Sequence, residues 1–408
     1  MLIRRRGLLA SACSLLATPA LTQHALAQRH AAAAPHGKAA KEPQASAGSA
    51  ADTPLGPVST AARWAFGMDF DTGATLLEKQ PDEQMPPSSM TKLMTIYIVY
   101  ARLKEGRLKL EDELPVSEKA WRMQGSKMFV PVGASVKVED LIRGVIVQSG
   151  NDAAIVLAEA IGGSEEGFVE LMNQKAKELG LSNSYFRNCT GWPDPEQRMS
   201  ARDIAALAAR IIRDFPEYYH YDSEKTFRYN EIEQGNRNPM VQKGTADGLK
   251  TGHTEAGGYG LVVSSKRNDR RVILVLNGMS SMHERAEESE RLMDWLFFNF
   301  EDVTLFAASD VIEHVPVWLG TARTVPLVAD KDLVVTMPRN WRKKASVKVS
   351  YDTPLTAPIH KGDTLGKLIV SGDGVPNMSV PLLAGDDVPL LGLPGRAMAV
   401  LSRYVTGT

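Results

Sequence analysis

Ser89-Met90-Thr91-Lys92 sets a hydroxyl three residues ahead of an amine, where Met85-Pro86-Pro87 turns into an apolar run with helical spacing. Positions i and i+3 share one helix face, so an uncharged Lys92 could take the Ser89 proton directly. Lysine ordinarily titrates near about 10.4, so such a base must be desolvated or set beside another cation. Taken alone, the pattern also fits a solvated helix start. Ser149-Gly150-Asn151 lies between two helical stretches. A second hydroxyl there could relay a proton and a side-chain amide could hold a substrate amide, while the plain alternative is a helix cap. Lys250-Thr251-Gly252-His253 sits among Gly244, Gly248, Gly257, Gly258 and Gly260. Lys250 and Thr251 offer a cation and a hydroxyl to a carboxylate, and Gly252 lets a strand run close to a bound peptide. Its plain alternative is a basic edge strand with turn glycines. Together the three elements supply a nucleophile and base, a relay and amide clamp, and a carboxylate anchor, which none supplies alone.

The elements that must hold these residues follow from the apolar spacing. A β-like segment from Trp64 to Leu77 turns at Asp71-Thr72-Gly73, and helices are expected over Ser88 to Leu103, Val138 to Val147, Asn151 to Ile161, Glu165 to Leu179, Ala201 to Phe215 and His283 to Phe298. Strand-like runs span Tyr259 to Ser264 and Val272 to Asn277. Without a βαβ repeat, this mixture predicts an α+β catalytic domain with an antiparallel sheet and helical clusters. Beyond about Asp310 the runs His314 to Leu319, Val325 to Val328, Leu333 to Met337, Ala345 to Tyr351 and Leu368 to Ser371 are separated by Gly, Pro and Asp turns. They predict a small all-β domain.

The chain has 408 residues, 47 basic and 48 acidic side chains, and is 43% apolar. That length exceeds one ordinary domain. Near-zero net charge gives no electrostatic reason to expect a nucleic-acid partner. Arg4, Arg5 and Arg6 precede an apolar run that ends at Ala25-Leu26-Ala27, the order of a secretory signal over residues 1–27. Arg5-Arg6-Gly7-Leu8-Leu9 also fits a twin-arginine export pattern. Cleavage there removes Cys13 and leaves Cys189, expected as a small packed hydrophobe, so no internal disulfide is expected. Residues 28–56, rich in Ala, Pro, Gly and Ser, read as a flexible linker. His30 and His36 lie there without the spacing partners of a metal site, and no HExxH or paired-cysteine pattern occurs, so neither metal nor cofactor is expected. In the tail, residues 389–408, Met398, Leu401 and Val405 fall at helical spacing with Arg396 and Arg403 elsewhere on the wheel. A peripheral amphipathic membrane anchor and a frayed terminus are the two readings.

The trio S-x-x-K, S-x-N and K-T-G resembles the signature of penicillin-binding proteins and serine β-lactamases. Its wording, Pro87-Ser88-Ser89-Met90-Thr91-Lys92, Gln148-Ser149-Gly150-Asn151-Asp152-Ala153 and Asp247-Gly248-Leu249-Lys250-Thr251-Gly252-His253-Thr254, is similar to the low-molecular-mass D-alanyl-D-alanine carboxypeptidases of peptidase family S11. Gly125-Ser126-Lys127-Met128-Phe129 and Ser200-Ala201-Arg202-Asp203 match that family's phrasing, and the likeness runs roughly from Pro57 to Leu383. The resemblance implies a β-lactamase/DD-peptidase-like catalytic domain over 57–305 and an all-β domain over 306–388. It implies a periplasmic or exocellular enzyme, at the outer face of the inner membrane if the tail anchors it, that removes the terminal D-alanine from peptidoglycan pentapeptide stems and is blocked covalently by β-lactam antibiotics. In that reading Ser89 attacks with Lys92 as base, and the backbone amides of Ser89 and His253 hold the oxyanion. Ser149 passes a proton to the leaving D-alanine, Asn151 holds the acyl-side amide, and Lys250 with Thr251 binds the terminal carboxylate beside Gly252. The His253 imidazole is expected to pack rather than to react.

Three alternatives remain at this point. A DD-endopeptidase that cuts peptidoglycan cross-links would use the same residues with a groove open beyond the scissile bond. A class A β-lactamase needs an E-x-x-L-N phrase, and Leu181 to Pro195 offers none. A non-catalytic wall-binding protein would have no need to keep Ser89, Lys92, Ser149 and Lys250 together.

Overall fold

The structure, a computed structural model, describes residues 50–343, 345–372 and 375–406. The expected signal segment, the twin-arginine pattern, Cys13, His30, His36 and most of the expected linker lie outside the described residues.

The end of that linker is part of the fold. β1 (Ala50–Ala51) pairs antiparallel with β2 (Val58–Ser59), and Asp52 bridges Glu78. Backbone pairing needs no large side chain, and Ala51 is small enough to be fully buried, which is why an alanine-rich composition misreads this stretch. β3 (Trp64–Asp69) and β4 (Thr75–Lys79) form a hairpin around the expected Asp71-Thr72-Gly73 turn. Asp69 Oδ1 fixes that turn by accepting from the Asp71 and Thr72 amides at 3.1 and 3.0 Å.

A single 3₁₀ turn, Ser88–Thr91, leads into α1 (Lys92–Lys104), whose residues from Lys92 to Tyr100 are all buried. The flanking helical cluster follows: β5 (Glu113–Pro115), α2 (Glu118–Arg122), β6 (Ser135–Lys137), α3 (Val138–Ile146), α4 (Asn151–Gly162), α5 (Glu165–Glu178) and α6 (Ala201–Asp214). Ser117, Ser164 and Ser200 cap α2, α5 and α6 through their hydroxyls. A short hairpin, β7 (Thr226–Tyr229) and β8 (Ile232–Gly235), and α7 (Pro239–Lys243) precede β9 (Gly248–Thr254), β10 (Gly258–Arg267) and β11 (Arg270–Met279). The main sheet is antiparallel in the order β4-β3-β11-β10-β9, which leaves β9 at an edge beside Ser88 and Ser89. α8 (Met282–Asn299) covers the other face: Leu292, Met293 and Leu296 pack on Leu261, Val263 and Leu274. The central core, from Trp64 through Met90, Tyr100, Phe168 and Val275, lies between the sheet and the helical cluster.

The C-terminal part is all-β, as the turn spacing predicts. β12 (Phe300–Phe306) pairs with β15 (Leu333–Pro338), and the expected 305/306 boundary therefore falls inside a strand. The strand follows α8 without a turn residue to mark it, so composition gives no break there. β13 (Val311–Trp318), β14 (Thr324–Val328), β16 (Ala345–Tyr351), β17 (Leu355–Thr356), β18 (Thr364–Gly372) and β19 (Val375–Ala384) form a second sheet in the order β16-β18-β19-β14-β13-β17. Its core is Val315, Leu327, Val335, Leu368, Val370 and Leu382. α9 (Leu393–Thr406) ends the described chain. Among the described residues no helix is long and apolar enough to cross a membrane.

Candidate active site

The three sequence elements converge at the start of α1. Lys92 is fully buried, and its Nζ lies 3.1 Å from Ser89 Oγ, 2.7 Å from Asn151 Oδ1 and within hydrogen-bond reach of the Thr190 carbonyl. As an ammonium it donates to all three. As an amine it donates to Asn151 and Thr190 and turns its lone pair to the Ser89 hydroxyl, which then donates. Burial, the largest cause, pulls the Lys92 amine down to about 7, and the Arg237 cation pulls in the same direction. The Asp152 charge opposes it. Burial pushes the Cys189 thiol well above its ordinary range, so it is uncharged at neutral pH. The Asp152 carboxylate accepts from the amides of Met128, Phe129 and Val130 at 3.0, 2.8 and 3.2 Å, and so ties the Gly125–Val130 loop to α4.

Asn151 is the first residue of α4, and its Nδ2 donates to the Gln124 carbonyl at 2.7 Å. With both ends of the amide engaged, the rotamer is fixed. Ser149 sits at φ 62°, a backbone region that disfavours side chains other than those of Gly and Asn, and its buried Oγ has no hydrogen-bond partner among the described residues. An unpaired buried hydroxyl held in an unfavourable backbone state makes Ser149 a candidate functional position. The capping alternative does not apply, since α4 carries no side-chain cap.

β9 brings the third element alongside. A methyl group on Gly252 would lie 3.0 Å from Ser88 Cβ and 3.2 Å from the Ser89 nitrogen, so a side chain there would press on the turn that carries Ser89, and glycine eases the close approach of the strand. Ser88 Oγ and Thr254 Oγ1 meet at 2.8 Å and join the turn to β9. Lys250 and Thr251 are buried, whereas His253 is exposed with its ring stacked on Tyr259 at 3.8 Å. Among the described residues, Lys250 Nζ donates one hydrogen bond, 3.2 Å to the Thr251 carbonyl. Burial lowers its pKa strongly, with Lys92, Arg237 and Arg285 adding to the effect and Asp222 opposing it.

Arg237 and Arg285 are functional-site candidates that sequence reasoning missed. Arg285 is buried, and among the described residues its Nε has no partner and its Nη2 donates only to the Arg237 carbonyl, at 3.4 Å. Among the described residues, no ion pair involves Lys250, Arg237 or Arg285. These neighbouring basic groups make no ion pair among the described residues, and although Asp222 acts on Lys250 from a distance, they offer a place for a carboxylate. Asn236-Arg237-Asn238-Pro239 and the helical Arg285 carry no spacing that links them to Lys250, so only the fold reveals the group. Thr190 was also beyond sequence reasoning, because it acts through its carbonyl. Gly191 at φ 83° keeps that loop in place: a methyl there would stand 1.9 Å from the Ser88 carbonyl oxygen.

A half-buried serine against a buried lysine, with a second hydroxyl, a fixed amide and basic groups outside any ion pair, has the parts of a serine-type acyl-transfer centre. Residues 49–281 match the family model for D-alanyl-D-alanine carboxypeptidase, peptidase S11, and residues 300–390 match that for the penicillin-binding protein 5 C-terminal domain. The chain is 40% identical over 349 residues to the D-alanyl-D-alanine carboxypeptidase DacA of Haemophilus influenzae, covering 83% of this chain and 88% of that protein. It is 39% identical over 338 residues to DacC of Escherichia coli, covering 81% and 84%. The solved structure of penicillin binding protein 5 from Haemophilus influenzae is similar with a TM-score of 0.75 at 39% identity, over 82% of this chain and 99% of that one. The chain belongs to the D-alanyl-D-alanine carboxypeptidase family, S11, and is a serine-type hydrolase.

Proposed function

We infer that the enzyme removes the terminal D-alanine from peptidoglycan pentapeptide stems. The observation that carries this reading is the buried Lys92, drawn to about 7 and in contact with Ser89 Oγ. Ser89 Oγ attacks the D-Ala-D-Ala carbonyl as its proton passes to Lys92, and the C–N bond then breaks. The proton taken up by Lys92 is returned by way of the Ser149 hydroxyl, which gives its own proton to the departing amine and regains one from Lys92, so D-alanine leaves, Lys92 is neutral again and an ester remains on Ser89. Water adds to that ester with Lys92 again as base, releasing the shortened peptide and restoring Ser89. The oxyanion lies between the Ser89 and His253 amides, near the start of α1. Asn151 holds the acyl-side amide, and Lys250, Thr251, Arg237 and Arg285 take the substrate carboxylate. A β-lactam would acylate Ser89 in the same way. The test is D-alanine release from a soluble pentapeptide ending in D-Ala-D-Ala. Release by the wild-type chain and none by Ser89→Ala supports the reading, and equal release by both sinks it.

In this reading residues 1–27 direct export to the periplasm, residues near 28–49 act as a tether, the catalytic domain runs to about Asn299 and the β-domain starts at Phe300. α9 would rest peripherally on the membrane. In its support, Leu393, Met398, Val400, Leu401 and Tyr404 are exposed by 75, 69, 55, 64 and 91%. Loss of vesicle sedimentation on removing residues 393–408 tests this; unchanged sedimentation would exclude it.

A further inference from the structure

The loop that gives its Thr190 carbonyl to Lys92 continues into Trp192, a large ring left 42% exposed beside the site. Its backbone is firmly held. The Trp192 amide donates to Asn188 Oδ1 and Thr190 Oγ1, both at 3.1 Å, and its carbonyl accepts from Asn188 Nδ2 at 2.9 Å. The ring edge reaches Gly125: a methyl there would lie 3.1 Å from Trp192 Cζ3 and 2.9 Å from Asn151 Nδ2. The absence of a side chain at Gly125 thus lets the indole stand next to the Asn151 amide. A large aromatic on a fixed loop, kept partly in water at the edge of a polar cleft, is suited to contact a ligand.

We propose that Trp192 is a specificity-determining residue whose exposed face receives the side chain of the stem residue preceding D-Ala-D-Ala, and that it favours a long side chain ending in an ammonium, that of a diamino acid. The inference rests on the carboxypeptidase reading above. With Asn151 on the acyl-side amide, the chain N-terminal to the scissile bond leaves the cleft past Asn151, where Gly125 and Trp192 form the next surface. The methylenes of such a side chain cover the indole, and its ammonium lies against the ring's negative face, for which tryptophan is the best partner.

The test compares kcat/KM for N-acetyl-D-Ala-D-Ala, which lacks that residue, with a pentapeptide carrying meso-diaminopimelate before D-Ala-D-Ala and one carrying norleucine there. Trp192→Ala should lower kcat/KM on the diaminopimelyl peptide about tenfold, largely through KM, and change the short substrate less than about twofold. It should also erase the wild-type preference for diaminopimelate over norleucine, and Trp192→Phe should restore most of it. An equal loss on all three substrates would show that the ring only braces the loop, and no loss on any would show that it touches no substrate. Either result overturns the proposal. Failure of the wild-type enzyme on every substrate would instead overturn the carboxypeptidase reading, and this inference with it.

Discussion

Lys92 Nζ, fully buried, stands 3.1 Å from the Oγ of the half-buried Ser89, so the same turn of chain sets a desolvated amine against a hydroxyl that a substrate can reach. Desolvation lowers the amine to about 7, a value that gives a large basic fraction at neutral pH without discarding proton affinity.

The rate of Ser89 acylation should therefore rise with pH through about 7 and level off above it, because the neutral amine is the active form. Lys92→Met, which keeps the stem and removes the base, should slow acylation by about 10²–10⁴-fold. Second-order rates of penicillin acylation across pH 5 to 9 check both. A flat profile in the wild-type enzyme would remove Lys92 from the role.

Arg237→Gln should act twice. Loss of one charged contact to the substrate carboxylate should raise KM about ten- to a hundredfold. Because Arg237 helps to depress Lys92, the acid limb of the rate profile should also move to higher pH. A substrate whose terminal carboxylate is amidated should lose the KM effect and keep the limb shift. The two readouts separate binding from electrostatics.

Both outcomes concern residues that differ in how far the sequence discloses them. Ser89 and Lys92, three apart on one helix face, are visible from spacing, and so are the main helices and the antiparallel sheet. Arg237 is invisible because it approaches Lys250 only through the fold, and Thr190 because its contribution is a backbone carbonyl. Ala51 escapes for the opposite reason: its composition signals a linker, yet its small side chain is buried under paired strands. The strand Phe300–Phe306 is hidden because nothing between α8 and β12 announces a turn.

Gly191→Ala should destabilise the protein by about 2–4 kcal/mol, since its methyl would collide with the Ser88 carbonyl at a positive φ. It should also slow acylation, because the colliding backbone carries the nucleophile. Urea unfolding and penicillin acylation of the same variant check this, and unchanged values in both would show that the loop yields freely.

Asp302 in β12 sits with Asp69, Arg270 and Thr336 where the β-domain meets the main sheet: Arg270 Nε lies 2.9 Å from Asp69 and 3.3 Å from Asp302, and Thr336 donates to Asp302 at 2.9 Å. Burial, with the Asp69 charge adding, pushes the Asp302 carboxyl up to about 6. The folded state thus holds this proton more tightly than the unfolded chain, whose aspartates titrate near about 3.9. The stability it contributes is fully present below about 4 and is lost as pH rises through about 6. Asp302→Asn should then be more stable than wild type at pH 8 by about 1–2 kcal/mol, with the difference shrinking toward pH 4. Thermal melts at pH 4, 6 and 8 decide it, and a variant less stable at pH 8 would mean that the Arg270 pairing outweighs the burial cost.

The most direct measurement is the intact mass of the chain after brief exposure to penicillin, followed by peptide mapping, for the wild type and for Ser89→Ala. One penicilloyl group per chain, mapped to Ser89 and absent from the variant, is the expected result. An adduct that persists in Ser89→Ala, or that maps to another residue, would contradict the assignment of Ser89 as the nucleophile.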